Sequence, residues 1–265
     1  MARFMALGAR GTEAHRFWIH PQSYALGQAG GLECRFRIGH LEDEDDWDAG
    51  ADRVVSLQSF GPSGVVDQQA QLLRPDPYGP VTILLEEPGS HILALQSHRV
   101  FSRVGAESFN EYLVNEGIQP ILDHRVKHGQ LERPAVEVLA RCAKTIVRVG
   151  GDRSALLTRP IGMTLEIVPL HDPECAEPGA LVHFEVRYRG RPLPGATVDA
   201  LRLDTGQLLQ TSPSDADGQF ALRNSGGGVV LLHTMWGEPT YDHRSNARFA
   251  TTLSSLTFTF GDDAR

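Results

Sequence analysis

Apolar residues in this chain recur mostly at every second position, the spacing of a strand with one buried face. His15 to His20 carries Phe17, Trp18 and Ile19 and is stopped by Pro21. Leu32 to Ile38 sets Cys34, Phe36 and Ile38 against Arg35 and Arg37, which predicts a half-buried strand with a basic outer face. Val54–Phe60, Val81–Leu85 and Ile92–Gln96 read as further strands, divided by turns rich in Gly and Pro. Six acids crowd into Glu42 to Asp48 around Trp47, and this run reads as a solvated loop.

The period changes between Glu107 and Cys142. Phe109, Tyr112 and Leu113 recur at helical spacing until Gly117, and Pro120 suits the first turn of a second helix bearing Ile121, His124 and His128. Ala135 to Cys142 reads as a third short helix or an extended segment, and Ala143–Val149 as a strand closed by Gly150-Gly151. Beyond a boundary at Thr158–Gly162, strands follow at Leu165–Leu170, Leu181–Tyr188, Thr197–Leu203, Leu208–Thr211, Phe220–Leu222, Val229–Met235 and Leu256–Phe260. In the last of these the pattern puts Leu256, Phe258 and Phe260 inward and Thr257 and Thr259 outward. The expected fold is therefore mainly β. Residues 15–160 form a β-sandwich with a helical insertion over about 107–142, and residues 161–265 form an immunoglobulin-like, or carboxypeptidase-regulatory-like, β-sandwich. Residues 1–14 are an N-terminal tail or the remnant of a signal peptide.

Composition narrows the function classes. A length of 265 residues suits two domains, and 41% hydrophobic with 22% charged residues suits ordinary globular cores. A net charge of -8 argues against a nucleic acid partner. No apolar run approaches the ~18 residues of a membrane span, so no transmembrane segment is expected. In residues 1–14 the apolar stretch Phe4–Ala9 is shorter than the core of a secretory signal, though Ala14 suits a cleavage position. Cys34, Cys142 and Cys175 form no CxxC pair and read as single thiols. There is no GxSxG elbow, P-loop or dinucleotide fingerprint. Asp215-Ala216-Asp217-Gly218 reads as a turn.

Eleven histidines are the main chemical resource, because neutral imidazole is a ligand for nickel, cobalt and copper. With cleavage after Ala14, the amine and imidazole of His15 would form a bidentate chelate; without it, His15 simply begins a strand. His233 shares a strand face with Leu231 and Met235, so it is either buried with a partner or a ligand at the domain junction. Asp242-His243 follows and would complete a site. His124 and His128 share a helix face, but Arg125 and Lys127 lie between them, which favours a solvated surface. His183 reads as exposed, and His91 and His98 are too far apart to chelate locally.

Several stretches together resemble one family. They are Ala14-His15-Arg16-Phe17-Trp18-Ile19-His20-Pro21, Phe109-Asn110-Glu111-Tyr112-Leu113 with Glu116-Gly117 and Arg125, and Arg141-Cys142-Ala143-Lys144-Thr145. Leu165-Glu166-Ile167-Val168-Pro169, Gly190 to Val198 and Asp215 to Gly218 continue the series. In this order they are similar to bacterial periplasmic proteins of unknown function associated with nickel/cobalt uptake. The chain departs from that pattern in having no tryptophan between Asn246 and Ser255. The resemblance implies a periplasmic, non-enzymatic protein that binds a transition-metal ion (Ni, Co or Cu) and hands it to a membrane transporter. The implied metal ligands are His15, His233, His243 and Asp242. The alternatives are a scaffold or glycan- or protein-binding module, and a copper oxidase-like enzyme with an N-terminal histidine brace.

Overall fold

A computed structural model describes residues 16–40, 43–151, 155–242 and 246–261. The first half runs β1 (Arg16–Pro21), β2 (Ala25–Leu26), β3 (Gly30–His40), β4 (Asp43–Asp46), β5 (Val54–Gly61), β6 (Gly64–Asp67), β7 (Val81–Leu85), β8 (Gly89–Ser97) and β9 (Val100–Val104). Two helices follow, α1 (Ala106–Asn115) and α2 (Gln119–Lys127), and then β10 (Ala135–Val149). The second half runs β11 (Leu165–Pro169), β12 (Leu181–Tyr188), β13 (Arg191–Pro192), β14 (Thr197–Arg202), β15 (Leu208–Pro213), β16 (Gln219–Arg223), β17 (Val229–Asp242) and β18 (Ala247–Thr259). The fold is mainly β, as the alternating pattern predicts.

The strands form three sheets. A small sheet has the order β1-β3-β4, with β7 also on β3. A central sheet runs β15-β14-β17-β18-β10-β8-β5-β6, with β2 and β9 on β10. A third runs β11-β12-β13, with β16 on β12. One core includes Phe17, Ile19 and Phe36 of the small sheet, Phe109 and Ile121 of the helices, and Phe249 and Leu253 of the central sheet. The other joins Phe184, Val186 and Phe220 of the third sheet to Ile146, Leu232, Leu256 and Phe258 of the central sheet. β17 and β18 are long enough to serve both: Met235 enters the first core and Leu232 the second.

Two sequence expectations change, and one open alternative is decided. Residues 43–46 of the acidic run are strand rather than solvated loop, because the basic outer face of β3 supplies their partners. Arg37 lies opposite Asp46 in the register and bonds both Asp46 at 2.7 Å and Glu44 at 2.6 Å, while Arg35 meets Asp46 at 2.8 Å. Ala135–Cys142 is extended and continuous with the following strand; β9 pairs with it on one edge and β18 on the other. Thr257 is buried rather than outward, since both faces of β18 are covered, and its hydroxyl donates to the Ile19 carbonyl at 2.9 Å.

At the link between the halves, β10 and β11 are joined by a buried ion pair. Lys144 Nζ lies 2.9 Å from Glu166 Oε1, with side chains 1% and 2% exposed. The same carboxylate accepts the backbone N–H groups of Ile161 at 2.8 Å, Gly162 at 3.1 Å and Met163 at 3.3 Å. Burial pushes the Lys144 ammonium below its usual value, and the Glu166 charge opposes that shift. Lys144→Met should lower unfolding stability by about 3–5 kcal/mol in urea titration, since it strands a buried charge. Adding Glu166→Gln should restore part of that loss, because a neutral amide oxygen still accepts from the linker and needs no counter-charge. A double variant no more stable than Lys144→Met would contradict this account of the linker.

Candidate functional site

α1 buries Phe109, Tyr112 and Leu113 and ends in a reciprocal hydrogen-bonded cap. The Ile118 N–H donates to the Leu113 carbonyl at 2.8 Å and the Gly117 N–H to that of Val114 at 3.2 Å. This motif needs a left-handed residue, which Gly117 supplies with φ +68. Gly117 also lies so close to β14 that a Cβ there would collide with the Thr197 hydroxyl. The cap thereby sets Glu116, the last residue before the glycine, against the central sheet.

Its partner there is His233 of β17. His233 is 2% exposed, and its Nε2 lies 3.2 Å from Glu116 Oε2. The other ring nitrogen, Nδ1, is buried with no hydrogen-bond partner. If Nε2 carries the proton and donates it to the carboxylate, Nδ1 presents a bare lone pair. Of the two positions open to this histidine in the sequence, buried with a partner or ligand at a junction, the structure supplies the burial and the partner.

The register places Asp199 of β14 and Ser255 of β18 directly opposite His233, on the same sheet face. The row Asp199–His233–Ser255 is not wired as a hydrolytic triad. Asp199 instead accepts from Thr211 Oγ1 at 2.6 Å and from Arg16 Nη2 at 3.2 Å. Ser255 is fully buried and its Oγ, like Nδ1, has no partner. Two orphaned polar atoms thus sit on neighbouring positions of one face.

Of the four residues picked out by sequence, the structure describes the side chain of His233. His15 and His243 lie outside the described residues, as does the Asp242 side chain. The Asp242 backbone ends β17, paired with Ala247. At ~3.3 Å per residue it stands on the order of 30 Å along the strand from His233. His15 is covalently joined to Arg16, whose guanidinium reaches the residue opposite His233. Among the described residues, no three His, Cys, Asp or Glu side chains come together as a metal cluster.

The remaining histidines follow simpler rules. His124 and His128 stack with ring centroids 4.1 Å apart, and His128 Nδ1 lies 2.8 Å from the His124 carbonyl. Arg125, between them, turns inward and is 1% exposed. It bonds Asn110 Oδ1 at 2.8 Å and the Arg133 carbonyl at 2.7 Å, and lies over the Phe109 and Phe249 rings. His183 is exposed, as its strand alternation predicts. Cys34 and Cys142 are buried thiols pushed up to about 12 and about 11 by burial, which makes them inert at neutral pH.

Glu116 did not emerge from periodicity, because it meets a histidine 117 positions away. The available signal was Gly117, whose place at the end of a helical run marks the cap and so the direction of the preceding residue. Gly117→Ala should cost about 2–4 kcal/mol, from left-handed strain and from overpacking against Thr197. Chemical denaturation checks the cost, and an unchanged midpoint would contradict the close approach of α1 to β14.

Comparison with known proteins gives a family and little more. No curated protein matches the chain. Among solved structures, the D0-D1 domain of intimin is similar over 92% of this chain and 97% of its own, at 11% identity and a TM-score of 0.22. Latent PorU from Porphyromonas gingivalis matches over 94% of this chain and 20% of its own, at 8% identity and a TM-score of 0.22. Native alpha-2-macroglobulin from Escherichia coli, spanning domains NIE-MG1, matches over 88% and 96%, at 11% identity and a TM-score of 0.20. Among the described residues, no helix is long and apolar enough to cross a membrane. A family model described as a domain of unknown function, DUF4198, matches residues 12–238, and the chain belongs to that family.

Proposed function

We propose that this protein captures a transition-metal ion, Ni, Co or Cu, as cargo in the periplasm and passes it to a membrane transporter. The observation that supports this is the His233 imidazole, with one nitrogen against a carboxylate and the other buried and unbonded. Metal-binding histidines commonly donate their second ring N–H to a carboxylate, which fixes the tautomer and raises the basicity of the ligating nitrogen. Here Glu116 plays the carboxylate and Nδ1 the ligating atom. A buried nitrogen left unbonded is otherwise a cost to the fold, and an ion would remove it. His15 is the second ligand in this reading. Its amine and imidazole together suit the planar nitrogen coordination that Cu(II) and Ni(II) accept. With so few protein ligands, other positions stay open to water or to a receiving site, which suits transfer more than permanent storage.

Calorimetric titration with Ni(II), Co(II) and Cu(II), using protein that begins at His15, tests the reading. His233→Gln and His15→Ala should each remove the tight site, and Glu116→Gln should weaken it about 10- to 100-fold. Circular dichroism confirms that each variant is folded. Unchanged affinity in folded His233→Gln would overturn the assignment.

A further inference from the structure

The two ends of the central sheet are finished differently. β15, at one end, closes on Pro213. β6, at the other, reads Gly64-Val65-Val66-Asp67 and has neither lysine nor proline, the residues that usually blunt an edge. All four of its positions are exposed, Val65 at 57% and Val66 at 53%, so neither face of this strand is covered by the described residues.

The register with β5 shows which backbone groups are unused. Gly61 pairs with Gly64 across the tight turn, Phe60 with Val65, Ser59 with Val66 and Gln58 with Asp67, and the Gln68 N–H donates to the Leu57 carbonyl at 2.8 Å. Antiparallel pairs alternate between bonded and non-bonded, so the N–H and C=O groups of Val65 and Asp67 point away from β5. Beside this edge lies a cleft of about 300 Å³, lined by Val65, Val66 and Leu84 together with Glu86, Glu87 and His91. Leu84 belongs to β7, which pairs with β3, and is itself 48% exposed. The cleft lining contains two carboxylates and no lysine or arginine. Ser63 donates to Glu87 through its backbone N–H at 2.8 Å and through its hydroxyl, which holds the Glu87 carboxyl below its usual range.

We propose that β6 is a docking edge for an extended segment of a partner protein in which apolar and basic residues alternate. The segment adds to the sheet through the outward groups of Val65 and Asp67. Its apolar side chains lie on the face of Val65, and its lysine or arginine side chains lie on the opposite face, that of Ser59 and Val66, where they meet Glu86 and Glu87 of the cleft. Acidic charge at the edge selects this occupant over a second copy of the chain, which would bring the same carboxylates face to face. The inference is independent of metal capture.

The test uses the full chain and a fluorescein-labelled peptide of sequence Val-Lys-Val-Lys-Val-Lys, followed by anisotropy. Saturable binding is expected, weakened by salt and absent for the peptide with Glu in place of each Lys. Val65→Pro removes an outward N–H without touching the β5 ladder and should weaken binding about three- to tenfold. Glu86→Gln should weaken it further, and hydrogen exchange at the Val65 and Asp67 amides should slow in the complex. Equal binding by folded Val65→Pro, equal binding of the Glu peptide, or no slowing at those amides would overturn the proposal. So would self-association of the protein through β6 that excludes the peptide.

Discussion

β18 lies parallel to β10 from Glu137 opposite Phe249 to Thr145 opposite Thr257, and the arrangement of everything else follows from that pairing. Parallel neighbours need a long crossover, and here the crossover is the whole segment from the end of β10 to the start of β18. The sandwich formed by that segment is therefore tied back into the sheet of the first half by its own last strand. Neither core closes until the end of the chain arrives. At the start of the crossover, the Lys144–Glu166 pair fixes the linker: one carboxylate holds the ammonium and three successive backbone N–H groups. Such a pair contributes little net stability, but it specifies where β11 begins relative to β10.

The His233 site is a product of this shared sheet. β17 pairs with β14 on one side and β18 on the other, and the helical insertion of the first half reaches it through Glu116. Glu116 comes from the helical insertion, Arg16 from the first strand, and Asp199 and Ser255 from the second half. With its proton on Nε2, facing the Glu116 carboxylate, the His233 imidazole would leave the Nδ1 lone pair bare.

Much of the fold was legible because β3, β7 and β12 each have one covered face over most of their length and alternate there. The pattern failed where both faces are covered. β18 reads Thr-Thr-Leu-Ser-Ser-Leu-Thr over 251–257, which looks half solvated, yet these hydroxyl residues are buried. Thr251 satisfies its hydroxyl on Glu137 and Thr257 on the Ile19 carbonyl, partners that no local pattern reveals. The acids of β4 misled for a related reason, since charge reads as solvation until the opposing arginines are known. Of the candidate site, His233 was legible as a residue with a burial problem. Its partner Glu116 was not, because the contact depends on where an α-helix ends against a distant strand. Asp242 follows His233 closely in sequence, but the extended strand between them sets its backbone on the order of 30 Å away.

The central claim concerns one atom. Long-range proton–nitrogen NMR of the metal-free protein, with His233 assigned, reads the tautomer and any ligation directly. The account predicts a proton on Nε2, a bare Nδ1, and a large upfield shift confined to Nδ1 when diamagnetic Cu(I) is added. A proton on Nδ1, or a His233 spectrum indifferent to the ion, would contradict it.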